Sequence, residues 1–393
     1  MPQRPPPPPH THDDQLTVTP VRTRADRTAF IRQPYPLYRD DPHWVCPLEH
    51  ERRAFLNPRR NPFFDFGAVQ LFLARRHGHP VGRIAAVLNP RHNQTHGTQH
   101  GFFGLFECVN DQPTARALIS TAQDWLRQRG HHSMLGPVNF STNHECGLLV
   151  AGFTDTPAVL MPHNPAYYPT LLENCGLTKA KDLWSWRLPT TAPVRRLAAV
   201  ADTVRRRDGL RVRPLDRRAF AAEIARVKDV YHSAWQHNWG FSPMTDGEFD
   251  HLAATLRPVL DPDLVRIAEV HGHPAGFALL VPDANQAIRA ARGRLTTCGL
   301  PLGLVRMLRA ARTIRRARAV AVGVKERYRG RGLEVLFYVD LLRAAHQRGY
   351  TEIDISWILE DNHAANRAVA ALGATRTKTH RIYRLDDAPC ASC

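Results

Sequence analysis

Residues 319–385 constrain the fold of this chain more than any other stretch. An apolar run at 319–324 reads as a buried strand. After it comes Arg327-Tyr328-Arg329-Gly330-Arg331-Gly332, and then residues 333–348, whose apolar positions recur at helical spacing. A strand, a basic glycine loop and a helix in that order gather free backbone N–H groups and a helix N-terminus around one point. Such a point suits a phosphate or pyrophosphate. A second apolar run, 353–359, reads as another strand. Asp361 or Asn362 can cap the helix that follows, Gly373 stops it, and 379–385 closes as a strand.

The earlier half of the chain has the same layout without residue-by-residue repetition. His77-Gly78-His79-Pro80 and His271-Gly272-His273-Pro274 each join two apolar runs, at 71–87 and 264–280, as hairpin turns. A strand and a long helix are expected at 102–108 and 113–129, matching 319–324 and 333–348. Each half then ends on an Asn-led helix, a glycine and a strand, at 164–188 and 362–385. The fold class is therefore α/β, a mixed α+β sheet in two tandem domains. The expected divisions are a proline-rich disordered tail at 1–25, a first domain at 26–189, a charged and helical linker at 190–209, a second domain at 210–386, and a tail at 387–393.

The halves part where a phosphate would bind. The first has Val109-Asn110-Asp111-Gln112-Pro113, with no glycine. Asp111 is a natural N-cap, and a carboxylate there uses the helix donors and repels an anion. The first half is expected to have lost any such site.

With 393 residues and 43% hydrophobic content, two soluble cores are affordable. No apolar run nears the ~18–20 residues that cross a bilayer, and residues 1–9 carry prolines where a secretory signal would be apolar. The seven cysteines are scattered and odd in number, which suits reduced thiols in a cytoplasm. Cys390 and Cys393 read as an incidental tail. The net charge of +17 raises nucleic acid as a partner. Its arginines are spread along the chain, however, so an anionic small molecule is the more economical partner and no specific nucleic acid is expected. His92, His96 and His100 have metal-compatible spacing but lack acidic or thiolate neighbours, so no metal is expected.

The order of strand, Arg-x-x-Gly-x-Gly loop, helix, strand, Asn-x-x-Ala helix, glycine and strand resembles the GCN5-related N-acetyltransferase (GNAT) superfamily, over roughly residues 209–386. The whole chain is similar to a bacterial family of tandem GNAT-type acetyltransferases. The resemblance implies two acyl-CoA N-acyltransferase domains, acetyl-CoA or another acyl-CoA as donor, and a small-molecule or protein amine as acceptor. It places Val322 and Val324 against pantetheine, and Arg327, Arg329, Gly330, Arg331 and Gly332 around the pyrophosphate. Asn362 would lie near the cofactor.

Two departures concern catalysis. The family's usual tyrosine position holds Val369, and the strand entry at 312–318 has no carboxylate. Glu360 is the candidate base or water-holder in their place, and Tyr383 the candidate acid, with Tyr338 as the alternative. Trp235, Asn238 and Trp239 are the candidate acceptor contacts, with core packing as the equal alternative. The basic amphipathic stretch 300–316 reads as a solvated helix over its own domain, with weak membrane-surface contact as an alternative. The expected activity is acyl-CoA-dependent N-acyl transfer, most simply acetyl transfer. The alternatives are a non-catalytic acyl-CoA sensor, an aminoacyl or long-chain acyltransferase, and a nucleic-acid-binding protein.

Overall fold

The computed structural model describes residues 16–387 apart from 258 and 298. The expectations for residues 1–15, Cys298, Cys390 and Cys393 lie outside the described residues. The first half runs β1 (Thr17–Pro20), α1 (Arg24–Arg32), α2 (Pro34–Leu37), α3 (Glu49–Phe55), β2 (Ala68–Arg76), β3 (His79–Leu88), α4 (Pro90–His96), β4 (His100–Cys108), α5 (Gln112–Arg127), β5 (Ser133–Gly136), β6 (Leu148–Ala151), α6 (Tyr168–Glu173) and β7 (Thr178–Pro189). The second runs α7 (Arg195–Arg205), β8 (Leu210–Pro214), α8 (Phe220–Trp235), α9 (Asp246–Leu256), β9 (Val265–Val270), β10 (His273–Pro282), α10 (Asn285–Ala291), α11 (Leu302–Ala311), β11 (Arg316–Val324), α12 (Leu333–Gln347), β12 (Glu352–Leu359), α13 (His363–Ala371) and β13 (Thr375–Asp386).

All the strands join one 13-stranded sheet, ordered β1-β2-β3-β4-β5-β13-β7-β12-β11-β10-β9-β8, with β6 also paired to β13. The two hairpin turns take the left-handed backbone that a two-residue connection demands. His77 and Gly78 have φ of 49° and 76°, and His271 and Gly272 have 49° and 78°.

The closing strands change places. β7, the last strand of the first half, pairs with β12 of the second, and β13 pairs with β5 of the first. The two exchanged strands lie antiparallel to each other at the centre. Division by sequence at 189 and 210 therefore does not coincide with division in space. The exchange buries Leu183, Leu188, Ile382 and Tyr383, each worth about 1.5–3 kcal/mol of apolar burial. Arg381 adds a two-pronged ion pair to Asp182 at 2.8 and 3.1 Å.

Three expectations are corrected. Order begins before residue 25: β1 pairs with β2, and Thr23 caps α1 through a capping box with Asp26. The expected linker helix, α7, is part of the second-half core, where Ala201 and Val204 are buried against α12. The Asn-led helix of the first half starts later than expected, at Tyr168, because Asn164 is buried and both accepts from Leu149 N and donates to Leu149 O.

Candidate active site

The molecule has two places where neighbouring parallel strands part, one in each half. β4 pairs with β5 only from His100↔Ser133 to Phe102↔Leu135. β11 pairs with β12 only from Arg316↔Glu352 to Ala319↔Ile355. Beyond these points β4 and β11 run on with one edge unpaired, and each carries a bulge near the parting point. The four strands β5, β13, β7 and β12 separate the two grooves by roughly 14 Å at normal strand spacing.

The first groove is filled by its own chain. β5 and β6 lie on the same edge of β13, interrupted by residues 137–147. This excursion turns into the gap: Val138 N donates to Phe103 O at 2.7 Å, and Asn139 Oδ1 accepts from Leu105 N at 2.9 Å. Glycine at 104 is required, because a Cβ there would meet the Val138 carbonyl oxygen at 2.2 Å. The helix behind the groove is closed as well. Asp111 accepts from Thr114 N at 2.9 Å and pairs with Arg76 at 2.8 Å, so the donors at the start of α5 face a carboxylate.

The second groove has neither device. β12 runs without interruption, and α12 starts at Gly332 with no side-chain cap. Gly330 and Gly332 have φ of 68° and 80°, the left-handed backbone that the turn requires. A Cβ at Gly330 would meet nothing within 4 Å, so the loop faces open space. Val322 and Val324 lie on the unpaired length of β11. Arg327 and Arg331 are exposed and flank the Tyr328 ring, 4.9 and 5.8 Å from its centroid.

Other expected site residues sit elsewhere. Arg329 is exposed, and its guanidinium donates to Val324 O at 3.3 Å and Ala234 O at 2.6 Å, bracing the loop. Asn362 accepts from Ala365 N as the cap of α13. Glu360 is corrected from base to clasp: its carboxylate takes the Lys179 ammonium at 2.6 Å and the Asp182 N–H at 3.0 Å, both on β7. Tyr383 is corrected too. It lies on β13 opposite Gly136, fully buried in the first-half core, donating to Glu173 at 2.9 Å. Burial raises its phenol, and the strand exchange carries it away from the second groove.

Trp235 lies against Gly323 of β11, where a Cβ would come within 2.4 Å of its ring. It therefore forms the wall of the second groove. Trp239 packs beside the first-half core with the Lys181 ammonium 5.8 Å from its ring. The amide N of Asn238 closes the turn after α8. The His92 and His96 rings lie 4.5 Å apart, tilted by 41°, burial lowers His92 to about 4, and no group of three or more metal-ligating side chains occurs among the described residues.

Sequence reasoning missed a polar pocket that opens beside the filled groove. Its lining includes Tyr38, Glu51, Arg83, Glu107, Glu145 and His163. Glu107 accepts from Tyr38 at 2.7 Å and from Tyr168 at 2.9 Å, with Arg83 at 3.4 Å; burial raises its carboxyl. Glu145 is half-buried, and Arg52 at 2.7 Å holds its carboxyl below the ordinary value. Burial lowers His163, so its neutral ring donates Nε2–H to Asp41 at 2.7 Å. Among the described residues, His163 Nδ1 and Arg83 Nε are buried without a partner. A charged residue inside the apolar run 102–108 was the available signal.

The pocket extends toward the second groove. Cys146, on its lining, is pushed up to about 12 by burial and lies against Trp357 of β12. Arg318 of β11 is buried at the parting point, held by Ser356 Oγ and Ser356 O at 3.0 Å. The excursion 137–147 also reaches α8 and the segment after it: Thr142 donates to Gly240 O, Asn143 donates to Ser242 O and accepts from Tyr231. The first half therefore walls the approach to the open groove of the second.

No protein-family model matches the chain. The bacterial ceramide synthase of Caulobacter vibrioides is 37% identical over 375 residues, covering 94% of this chain and 97% of that protein. YghO of Escherichia coli is 32% identical over 376 residues, covering 92% and 94%. Among solved structures, a tandem GNAT protein from the clavulanic acid biosynthesis pathway superposes with a TM-score of 0.55 at 15% identity, covering 95% of this chain and 99% of that one. The sheet with its paired grooves is the tandem GNAT architecture, an acyltransferase fold. By its likeness along nearly the whole length to these two bacterial proteins, the chain belongs to their family, and its fold is that of a tandem GNAT protein.

Proposed function

We propose that the chain is an N-acyltransferase that moves a long acyl group from acyl-CoA to the amine of a long-chain amino alcohol. The observation that carries this reading is the contrast between the grooves: the second is open beside an uncapped glycine loop, while the first is filled. The name of the Caulobacter relative supplies the substrate class, since a ceramide is the amide of a fatty acid and such an amine.

In this reading the unpaired edge of β11 holds the pantetheine arm, with Val322 and Val324 on it. The N–H groups at Gly330, Arg331 and Gly332 take the pyrophosphate, helped by the positive end of α12. Arg327 and Arg331 supply charge around it. The polar pocket takes the amino-alcohol head among Glu51, Glu107 and Glu145 of its lining. The neutral amine attacks the thioester carbonyl; the C–N bond forms, the C–S bond breaks, and the proton the amine sheds ends on the departing CoA thiolate. Arg318 places a fixed positive charge beneath the parting strands, which favours the oxyanion of the tetrahedral intermediate.

Release of CoA thiol tests the reading, using palmitoyl-CoA or acetyl-CoA with dihydrosphingosine or with a simple polyamine. The expected result is amide product with palmitoyl-CoA and the amino alcohol. Product only from acetyl-CoA and polyamine restores the short-chain expectation. A second reading, an acyl-CoA binder without chemistry, is favoured by the fact that neither Glu360 nor Tyr383 reaches the groove. Tight acyl-CoA binding with no product from any amine selects it.

A further inference from the structure

We infer that the α10–α11 hairpin is a docking surface for an anionic lipid bilayer. The stretch from 284 to 316 contains eight arginines and no aspartate or glutamate. Arg289, Arg292, Arg306, Arg309 and Arg312 are all exposed, and none pairs with a carboxylate among the described residues. Four of these arginines, Arg289, Arg292, Arg306 and Arg309, line the shallow groove between the two helices.

Apolar side chains stand among these charges. Leu300, Leu302, Val305 and Leu308 are 58%, 44%, 40% and 56% exposed, and they dominate the large apolar residues that are exposed among the described residues. At about 100° per residue, Leu302, Val305 and Leu308 interleave with Arg306, Arg309 and Arg312 along one outward arc of α11. The opposite side is spoken for, because a Cβ at Gly303 would meet the Arg294 carbonyl at 1.8 Å. A solvated helix has no need of this apolar row, and a protein partner has no need of so uniform a charge. A bilayer with anionic headgroups satisfies both: leucines enter the acyl boundary while arginines stay at headgroup level.

The hairpin also borders the polar pocket. Asn285 and Ile288 of α10 are part of its lining, as is Leu160, itself 41% exposed. Asn285 donates to Pro157 O at 3.0 Å and Asp283 accepts from Val159 N at 2.7 Å, tying that loop to the start of α10. A bilayer under the hairpin would therefore lie next to the pocket mouth.

Vesicle flotation of the full chain tests this without acyl-CoA or acceptor, so its outcome is separate from that of the turnover assay. Binding is expected to vesicles of phosphatidylcholine with phosphatidylglycerol, weakening as salt rises, and not to phosphatidylcholine alone. Arg306→Gln/Arg309→Gln/Arg312→Gln should weaken it about a hundredfold, at about fivefold for each arginine. Leu302→Ser/Val305→Ser/Leu308→Ser should abolish flotation with an unchanged melting temperature. Folded triple variants that float like the parent would overturn the inference. So would variants that merely dissolve an oligomer in sedimentation while leaving vesicle binding intact, since the face would then belong to a second copy.

Discussion

The two grooves begin alike and end differently. Both open where a parallel strand pair parts beside a bulge. In the first, Asn139 and Val138 satisfy the strand edge and Asp111 neutralises the helix start. In the second, no such excursion lies along β11 among the described residues, where Arg329 reaches only Val324 O, and the start of α12 has no side-chain cap. Two grooves of one fold can thus differ in whether the chain itself fills them. The filled groove then serves as a rigid wall carrying 137–147 across to α8.

Acid should break the comparison most strongly. His380 lies on β13 behind the filled groove, its Cβ 2.9 Å from where a Cβ on Gly147 would be. Burial lowers its imidazole to about 3, against 6.5 for a free side chain. The neutral ring's contribution is complete above pH 6.5 and is lost as pH falls toward 3. By pH 4 this one group should cost about 3 kcal/mol. Hydrogen exchange at pH 4 should expose residues 137–147 and β13 before β11 and α12, and His380→Asn should flatten the dependence. Equal loosening of both grooves would contradict the contrast.

Next in size is Gly330→Glu, which puts a carboxylate on the open loop. An acyl-CoA at 100 times its dissociation constant adds about 2.7 kcal/mol of stability, and the variant should lose all of it in a thermal-shift titration. Gly104→Ala probes the filled side. Its methyl group meets a backbone carbonyl that cannot swing away, so about 1–3 kcal/mol of stability should go, with acyl-CoA affinity unchanged. The smallest effect belongs to Asp111→Ala, which removes a helix cap for about 1 kcal/mol. Acyl-CoA binding should again be untouched, and a large loss there would show that the first groove also takes the cofactor.

Legibility in the sequence followed the range of the interactions. The turns at His77-Gly78 and His271-Gly272, the alternation of strands and helices, and the glycine loop before α12 are set by neighbours in the chain, so periodicity and turn chemistry reveal them. The uncapped start of α12 and the capped start of α5 were readable for the same reason: a cap lies three residues from its acceptor.

What the sequence could not fix is which strand lies beside which. β7 and β13 have the same alternating character whether they close their own half or the other. Only the tertiary structure exchanged them, and the exchange decides the fate of the candidate catalytic pair. It turns Glu360 into a clasp on Lys179 and Asp182, and buries Tyr383 against Glu173. The polar pocket is a product of assembly as well. Tyr38, Arg83, Glu107 and His163 come from four separate segments, and nothing local marks them as neighbours. The sequence by itself determined the elements and the glycine loop before α12, because those depend on backbone torsions and short-range hydrogen bonds. The tertiary structure alone decided which groove stays open and what faces it, because that depends on which buried edges and charges find each other at long range.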